Sequence, residues 1–217
     1  MAISAVTPPA PQTVPVWDPF VRIGHWTLVI AFVVAYVTED EALELHEWAG
    51  YIVGAYVLAR IAWGVVGPAH ARFADFAYSP LKATTYLVAL LRGQAERYLG
   101  HSPAGAMMVF ALLLALSGTV ITGMAELASS HGEGPLSLVL DRGMPAPTLD
   151  VARADDGEAA EGRERGEHSA LGEVHELFAN LTLILIVFHV AGVVVASISH
   201  KESLVLSMIT GRKRPNT

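Results

Sequence analysis

Four long apolar stretches separated by polar segments organise the chain: Phe20 to Val37, Trp48 to Val66, Ala104 to Met124 and Phe178 to Ile198. Each approaches the length of about 20 residues with which a helix crosses ~30 Å of hydrocarbon. The pattern predicts an all-α integral membrane four-helix bundle, a single domain over residues 1–217. Helix three has a legible start. In HSPAGAMM, Ser102 suits a cap and Pro103 the first helical position, where an N–H has no partner anyway. Gly118, Gly123 and Gly192 are small residues of the kind that lets membrane helices pack closely.

Composition agrees with that pattern and narrows the chemistry. Of 217 residues, 53% are hydrophobic and only 16% charged, which is too apolar for an ordinary soluble domain. The opening MAISAVTPPAPQTVPVWDP holds no Lys or Arg and no apolar core, so the first helix is expected to direct insertion rather than a cleaved signal peptide. Cysteine is absent, excluding structural disulfides, thiolate-held iron–sulfur clusters and covalently attached c-type haem. Any cofactor is then held by nitrogen or oxygen, and nothing in the chain points to nucleic acid.

The charges are unevenly spread. TEDEALELHE, between helices one and two, is acidic, whereas Arg72, Lys82, Arg92 and Arg97 lie between helices two and three, and Lys201, Arg212, Lys213 and Arg214 follow helix four. The positive-inside rule places both termini and the loop between helices two and three in the cytoplasm, and the acidic loops in the periplasm. The connection over residues 125–174 is long and, in DVARADDGEAAEGRERGEH, too poor in hydrophobes to build a core. It reads as an exposed acidic loop with one short helix before helix four, either a solvated linker or a docking surface for a periplasmic redox partner.

Four histidines fall in or beside the apolar segments. His175 and His189 are fourteen residues apart, which returns the second to within ~40° of the first, about 21 Å along the axis. They share a face at opposite depths. His25 lies in the first turns of helix one and His46 just before the second span, so the antiparallel order sets His46 level with His175 and His25 level with His189. Each pair can set imidazoles from two helices on opposite sides of one flat macrocycle. His46, Gly50 and Gly54 line one face of helix two, which makes room for a porphyrin or, alternatively, a small-residue helix contact. Arg60 is an intramembrane charge, suited to a haem propionate or to snorkelling toward the interface. Spacing alone leaves bis-histidine haem open beside metal transport and structural hydrogen bonding.

The stretches VWDPFVRIGHW, LHEWAGYIVGAYVLARIAWGVVG, HARFADFAYSP, YLGHSPAGAMM and HKESLVLSMITGRK resemble the bacterial cytochrome b561 and Ni,Fe-hydrogenase b-type cytochrome family. The resemblance spans nearly the whole chain apart from the first fifteen residues and the acidic loop. It implies a membrane cytochrome of the bacterial inner membrane with two noncovalent haem b groups, exchanging electrons between the quinone pool and a partner. The family's haem-ligating histidines fall on His25, His46, His175 and His189, and its arginine in ARIAWG on Arg60. Hydrogenase-linked members usually have a shorter, less acidic connection before the last helix. The acidic loop therefore favours a basic or haem-bearing periplasmic partner, such as a c-type cytochrome, or an oxidoreductase subunit.

The remaining candidates are less specific. His101 precedes helix three and suits either a propionate or quinone headgroup or a plain interfacial hydrogen bond; His70 and His200 are given no chemistry. Glu44, Glu47 and Glu176 lie within one turn of a ligand histidine, either as proton carriers for a quinone or as carboxylates orienting an imidazole. The rival function is a divalent-metal transporter or sensor using His131 and His168 with Glu133, Glu167 and Glu173. Transport needs polar, broken helices at mid-membrane, where helix four offers only Asn180 and Thr182.

Overall fold

The first helix begins where Asp18 accepts a hydrogen bond from the N–H of Val21 at 3.1 Å, with Pro19 in the first turn. The computed structural model describes residues 13–39, 41–130, 132, 134–137 and 170–215. In chain order these form β1 (Val14–Pro15), α1 (Pro19–Val37), α2 (Leu43–Val66), a 3-10 turn (Phe73–Asp75), α3 (Pro80–Leu91), α4 (Pro103–Ser130), α5 (Ala170–Ser199), α6 (Leu204–Thr210) and β2 (Arg212–Lys213). The protein is all-helical, and α1, α2, α4 and α5 are long and apolar enough to cross a membrane.

The apolar windows locate these helices but understate them. α2 starts at Leu43 and α5 at Ala170, so His46 and His175, both outside the apolar windows, lie within their helices, as the shared faces read from sequence require. The same extension trims the acidic connection expected over 125–174, because α4 runs on to Ser130 and α5 begins at Ala170. Polar helix ends beyond the hydrocarbon explain the difference, since hydropathy marks the buried length and not the helix. The segment between α2 and α4, read from sequence as a loop, contains α3, started by Ser79 accepting from the N–H of Lys82 with Pro80 next. Residues 1–12, the short helix expected in the acidic loop, and the loop residues His131, Glu133, Glu167 and His168 lie outside the described residues.

The chain divides into two compact units, Met1–Leu113 with Ile184–Thr217, and Leu114–Leu183. In the first unit, α1 and α2 pack along a stripe of small and apolar residues. Val21, Gly24, Ala31 and Phe32 are buried on α1, and Ala49, Val53, Gly54, Val57, Arg60 and Gly64 on α2. Two glycines are needed there. A Cβ on Gly24 would sit 1.8 Å from the Tyr56 ring, and one on Gly64 would sit 2.2 Å from Phe73. Phe20 stacks near Tyr56 and lies 4.8 Å from Trp63 between ring centroids. The opposite faces are bare: Ile23, Ile30, Leu58, Val65 and Val66 are all more than 60% exposed, which suits acyl chains as the surrounding solvent.

The two ends of the chain meet in this unit. β1 pairs antiparallel with β2 in the register Val14 to Lys213 and Pro15 to Arg212. The N–H groups of Val16 and Trp17 donate to the carbonyl of Gly211, whose positive φ ends α6. Arg22 donates to the carbonyl of Ile209, and Arg97 grips the carboxylate of Glu202 while donating to the carbonyls of Arg214 and Pro215.

In the second unit, α4 and α5 approach over small residues. Gly118 would place a Cβ 2.4 Å from the Phe178 ring, and Gly123 would place one 2.8 Å from the His175 imidazole. Thr182 is fully buried, with its hydroxyl 3.3 Å from that of Thr119. The expected role of Gly118 and Gly123 in close packing holds. Gly192, in the other unit, has nothing within 4 Å of its Cβ position.

Candidate functional site

In the first unit α1 and α5 bring His25 and His189 together. Their ring centroids are 6.4 Å apart and their planes are inclined by 54°. An imidazole nitrogen sits about 2 Å from a bound first-row metal and about 1.1 Å from its own ring centre, so two imidazoles sharing one metal have centres about 6 Å apart. The observed spacing has room for one metal between the rings. These are two histidines that helix direction and depth put at one level, and the fold sets their side chains next to each other. Trp26 stands edge-on against His25 at 5.3 Å.

At the same end of the first unit as this pair, buried polar atoms go unsatisfied. Among the described residues, the buried side-chain nitrogens and oxygens with no hydrogen-bond partner are Arg22 Nε, His25 Nδ1, Arg60 Nη1, Trp63 Nε1 and His101 Nδ1. They share one end of the first unit: the first turns of α1, the last turns of α2, and the residue two before α4. Buried polar groups in folded proteins are nearly always paired, so five in one place call for a ligand rich in acceptors. Three of the five are obligate donors, two of them on cationic guanidinium groups, which suits carboxylates.

Arg60 is only 5% exposed, and its guanidinium carbon lies 5.0 Å from the centre of the Phe73 ring. Of the two readings the sequence left open for it, snorkelling into water is not what the side chain does. It stays under the 3-10 turn, where Phe73 itself packs on Gly64. His101 is enclosed by Trp17 at 4.8 Å and Phe76 at 4.2 Å. Burial, reinforced by the positive charges of Arg60 and Lys213, pushes its pKa down to about 3, so the ring is neutral at physiological pH.

The other two expected ligands have a different environment. His46 Nδ1 lies 2.8 Å from the carbonyl of Ala35 in the last turn of α1, and His175 Nδ1 lies 2.9 Å from the carbonyl of Thr119 on α4. A carbonyl only accepts, so in both residues Nδ1 carries the proton and Nε2 the lone pair. That is the tautomer in which an imidazole binds a metal through Nε2 with its ring orientation fixed from behind. The acceptors are main-chain carbonyls rather than the carboxylates of Glu44, Glu47 or Glu176, which were candidates for that orienting role; Glu44 and Glu176 are exposed. One turn beyond His46, Gly50 has nothing within 4 Å of its Cβ position, whereas Gly54 is buried on the α2 stripe. The glycine face thus divides between open space beside His46 and helix packing deeper in. His46 belongs to the first compact unit and His175 to the second.

Arg22 and Trp63 were not singled out from sequence, although a signal existed. Arg22 precedes His25 by three residues and Trp63 follows Arg60 by three, one helical turn in each case. His200 lies 3.3 Å from the hydroxyl of Tyr86, and the His70 ring packs against Gly100, where a Cβ would meet its Nδ1 at 2.7 Å. Among the described residues, no three His, Asp or Glu side chains gather around a common metal position.

Compared with known proteins, the chain matches the family model described as prokaryotic cytochrome b561 over residues 16–211. No curated protein and no solved structure matches it significantly.

Proposed function

Because the chain belongs to the prokaryotic cytochrome b561 family, multi-pass membrane proteins that carry electrons across the bilayer through b-type haem, we propose that it holds two haem b groups and links the quinone pool to a periplasmic redox partner. His25 and His189 are assigned to one haem, and His46 and His175 to the other. The observation that carries the reading is the 6.4 Å His25–His189 pair, at the same end of the first unit as the unpartnered buried nitrogens of Arg22, Arg60, Trp63 and His101. The fixed Nδ1–H tautomers of His46 and His175 support the second assignment.

Haem b supplies a one-electron iron couple when bound. The protein's own part is to hold and tune it. His25 with His189, and His46 with His175, would hold the iron through imidazole nitrogens from two helices, which would suit it to electron exchange. Arg60 and Arg22 supply positive charge and N–H donors for propionates, and Trp63 adds a neutral donor. The neutral His101 can serve the same carboxylates without adding charge. Lipid-facing apolar helices keep water from the site, so these charges act with little screening.

The same proposal puts the chain in the inner membrane with cytoplasmic termini and gives it a c-type cytochrome or an oxidoreductase subunit as partner, a reading that the charge distribution supports. The acidic connection before α5 steers a basic partner. A reduced-minus-oxidised visible spectrum of the detergent-purified protein, with extracted haem counted per chain, tests the reading. Two b haems per chain are expected; a haem-free protein from a haem-competent host overturns it.

A further inference from the structure

The helix between the second and third spans is more than a connector. α3 buries Ala83, Tyr86 and Leu90 on one side. At 100° per residue these fall within a sector of about 60°. Next to that sector lie Leu87, Leu91, Val88 and Leu81, four large apolar residues that are 46, 71, 47 and 77% exposed. Beyond them come Arg92, Thr85 and Lys82, all exposed. Thr84, also exposed, falls among the four apolar residues, so the helix has three faces in sequence: packed, bare and mostly apolar, and basic.

We propose that α3 lies in the plane of the membrane interface, with Leu81, Leu87, Val88 and Leu91 sunk among acyl chains and Lys82 and Arg92 on the phosphates of anionic phospholipids. Its place in the chain supports this occupant over a protein partner. α3 runs between the end of α2 and the start of α4, both spanning helices, so it sits at the level where a bilayer ends. Val65 and Val66, at the end of α2, are likewise bare apolar residues. Apolar and basic faces side by side on one short helix are the arrangement of helices that lie in a lipid interface. Tyr78, over whose ring the Lys82 ammonium sits at 4.7 Å, adds an amphipathic ring of the kind enriched at that depth. α6 repeats the pattern in miniature: Val205, Leu206 and Ile209 are half exposed opposite the buried Ser207, between Lys201 and Arg212.

The natural absence of cysteine makes the test direct. Leu91→Cys and Thr85→Cys variants of the full chain, each carrying a nitroxide label, are reconstituted in phosphatidylcholine vesicles with and without phosphatidylglycerol. Relaxation by oxygen and by an aqueous nickel chelate is then compared. The Leu91→Cys label should collide several-fold more often with oxygen than with the chelate, and the Thr85→Cys label the reverse. Phosphatidylglycerol should deepen the Leu91→Cys label. Equal chelate access at both positions, or a label at position 91 shielded from both reagents by a second protein surface, overturns the proposal. A depth indifferent to phosphatidylglycerol overturns the role given to Lys82 and Arg92. The readout needs no haem, so it stands or falls apart from the redox reading.

Discussion

His175 gives its Nδ1 proton to the carbonyl of Thr119, 2.9 Å away on the neighbouring helix. The contact depends on Gly123, whose missing side chain leaves room for the imidazole. Gly123→Ala should displace the ring and reduce occupancy of the haem assigned to His46 and His175, with the other haem retained. Haem extraction together with low-temperature spectra that separate the two α-bands checks this.

His25→Ala and His189→Ala should give the same result, loss of one haem per chain with the second spectrally intact. Identical spectra from the two variants are the mark of shared ligation of one iron. Two variants that each lose a different haem would separate residues that stand 6.4 Å apart and would break the assignment.

Arg60→Leu should lower the midpoint potential of the same haem. Ferric haem carries one more positive charge than ferrous, so removing a nearby cation favours the oxidised state. A charge interaction of about 1 kcal/mol corresponds to roughly 40 mV for one electron, so a drop on the order of 50 mV is expected by redox titration. Arg60→Lys, which keeps the charge but not the fork of donors, should recover most of the potential while retaining haem less firmly.

The buried His101 couples stability to acid. Its folded pKa of about 3 lies below the ordinary histidine value, so the unfolded chain binds the extra proton as pH falls from about 6.5. The folded state is then fully favoured above pH ~6.5 and loses stability progressively down to about pH 3. His101→Phe, which keeps an aromatic ring between Trp17 and Phe76, should flatten that slope in thermal unfolding followed in detergent.

Gly24→Ala and Gly50→Ala separate packing from cofactor space. The first puts a methyl 1.8 Å from the Tyr56 ring and should cost about 1–3 kcal/mol, as overpacking does. The second meets no protein atom within 4 Å. Gly50→Phe should leave the helices paired yet reduce the haem assigned to His46, with the thermal midpoint of the haem-free protein unchanged.

Hydropathy carried the four spans because an apolar stretch of bilayer length has few alternative uses, and the Ser102–Pro103 start of α4 was legible for the same local reason. α3 was missed because its apolar residues are few and interrupted by Lys82, Thr84 and Thr85, below any spanning signal. The His25–His189 pair followed from helix direction and depth. The unpartnered nitrogens at that end did not: Arg22 and Trp63 stand one turn from His25 and Arg60, but it is burial that shows their nitrogens lack partners. Orientation of His46 and His175 by carbonyls was likewise invisible, because main-chain acceptors leave no mark on a sequence.

Strand β1 is made before the first span and its partner β2 only after the fourth. During synthesis the leading segment must wait, unpaired, until every transmembrane helix has left the ribosome. The two-residue ladder, with Gly211 receiving Val16 and Trp17, thus closes only after the last of the long helices has been made.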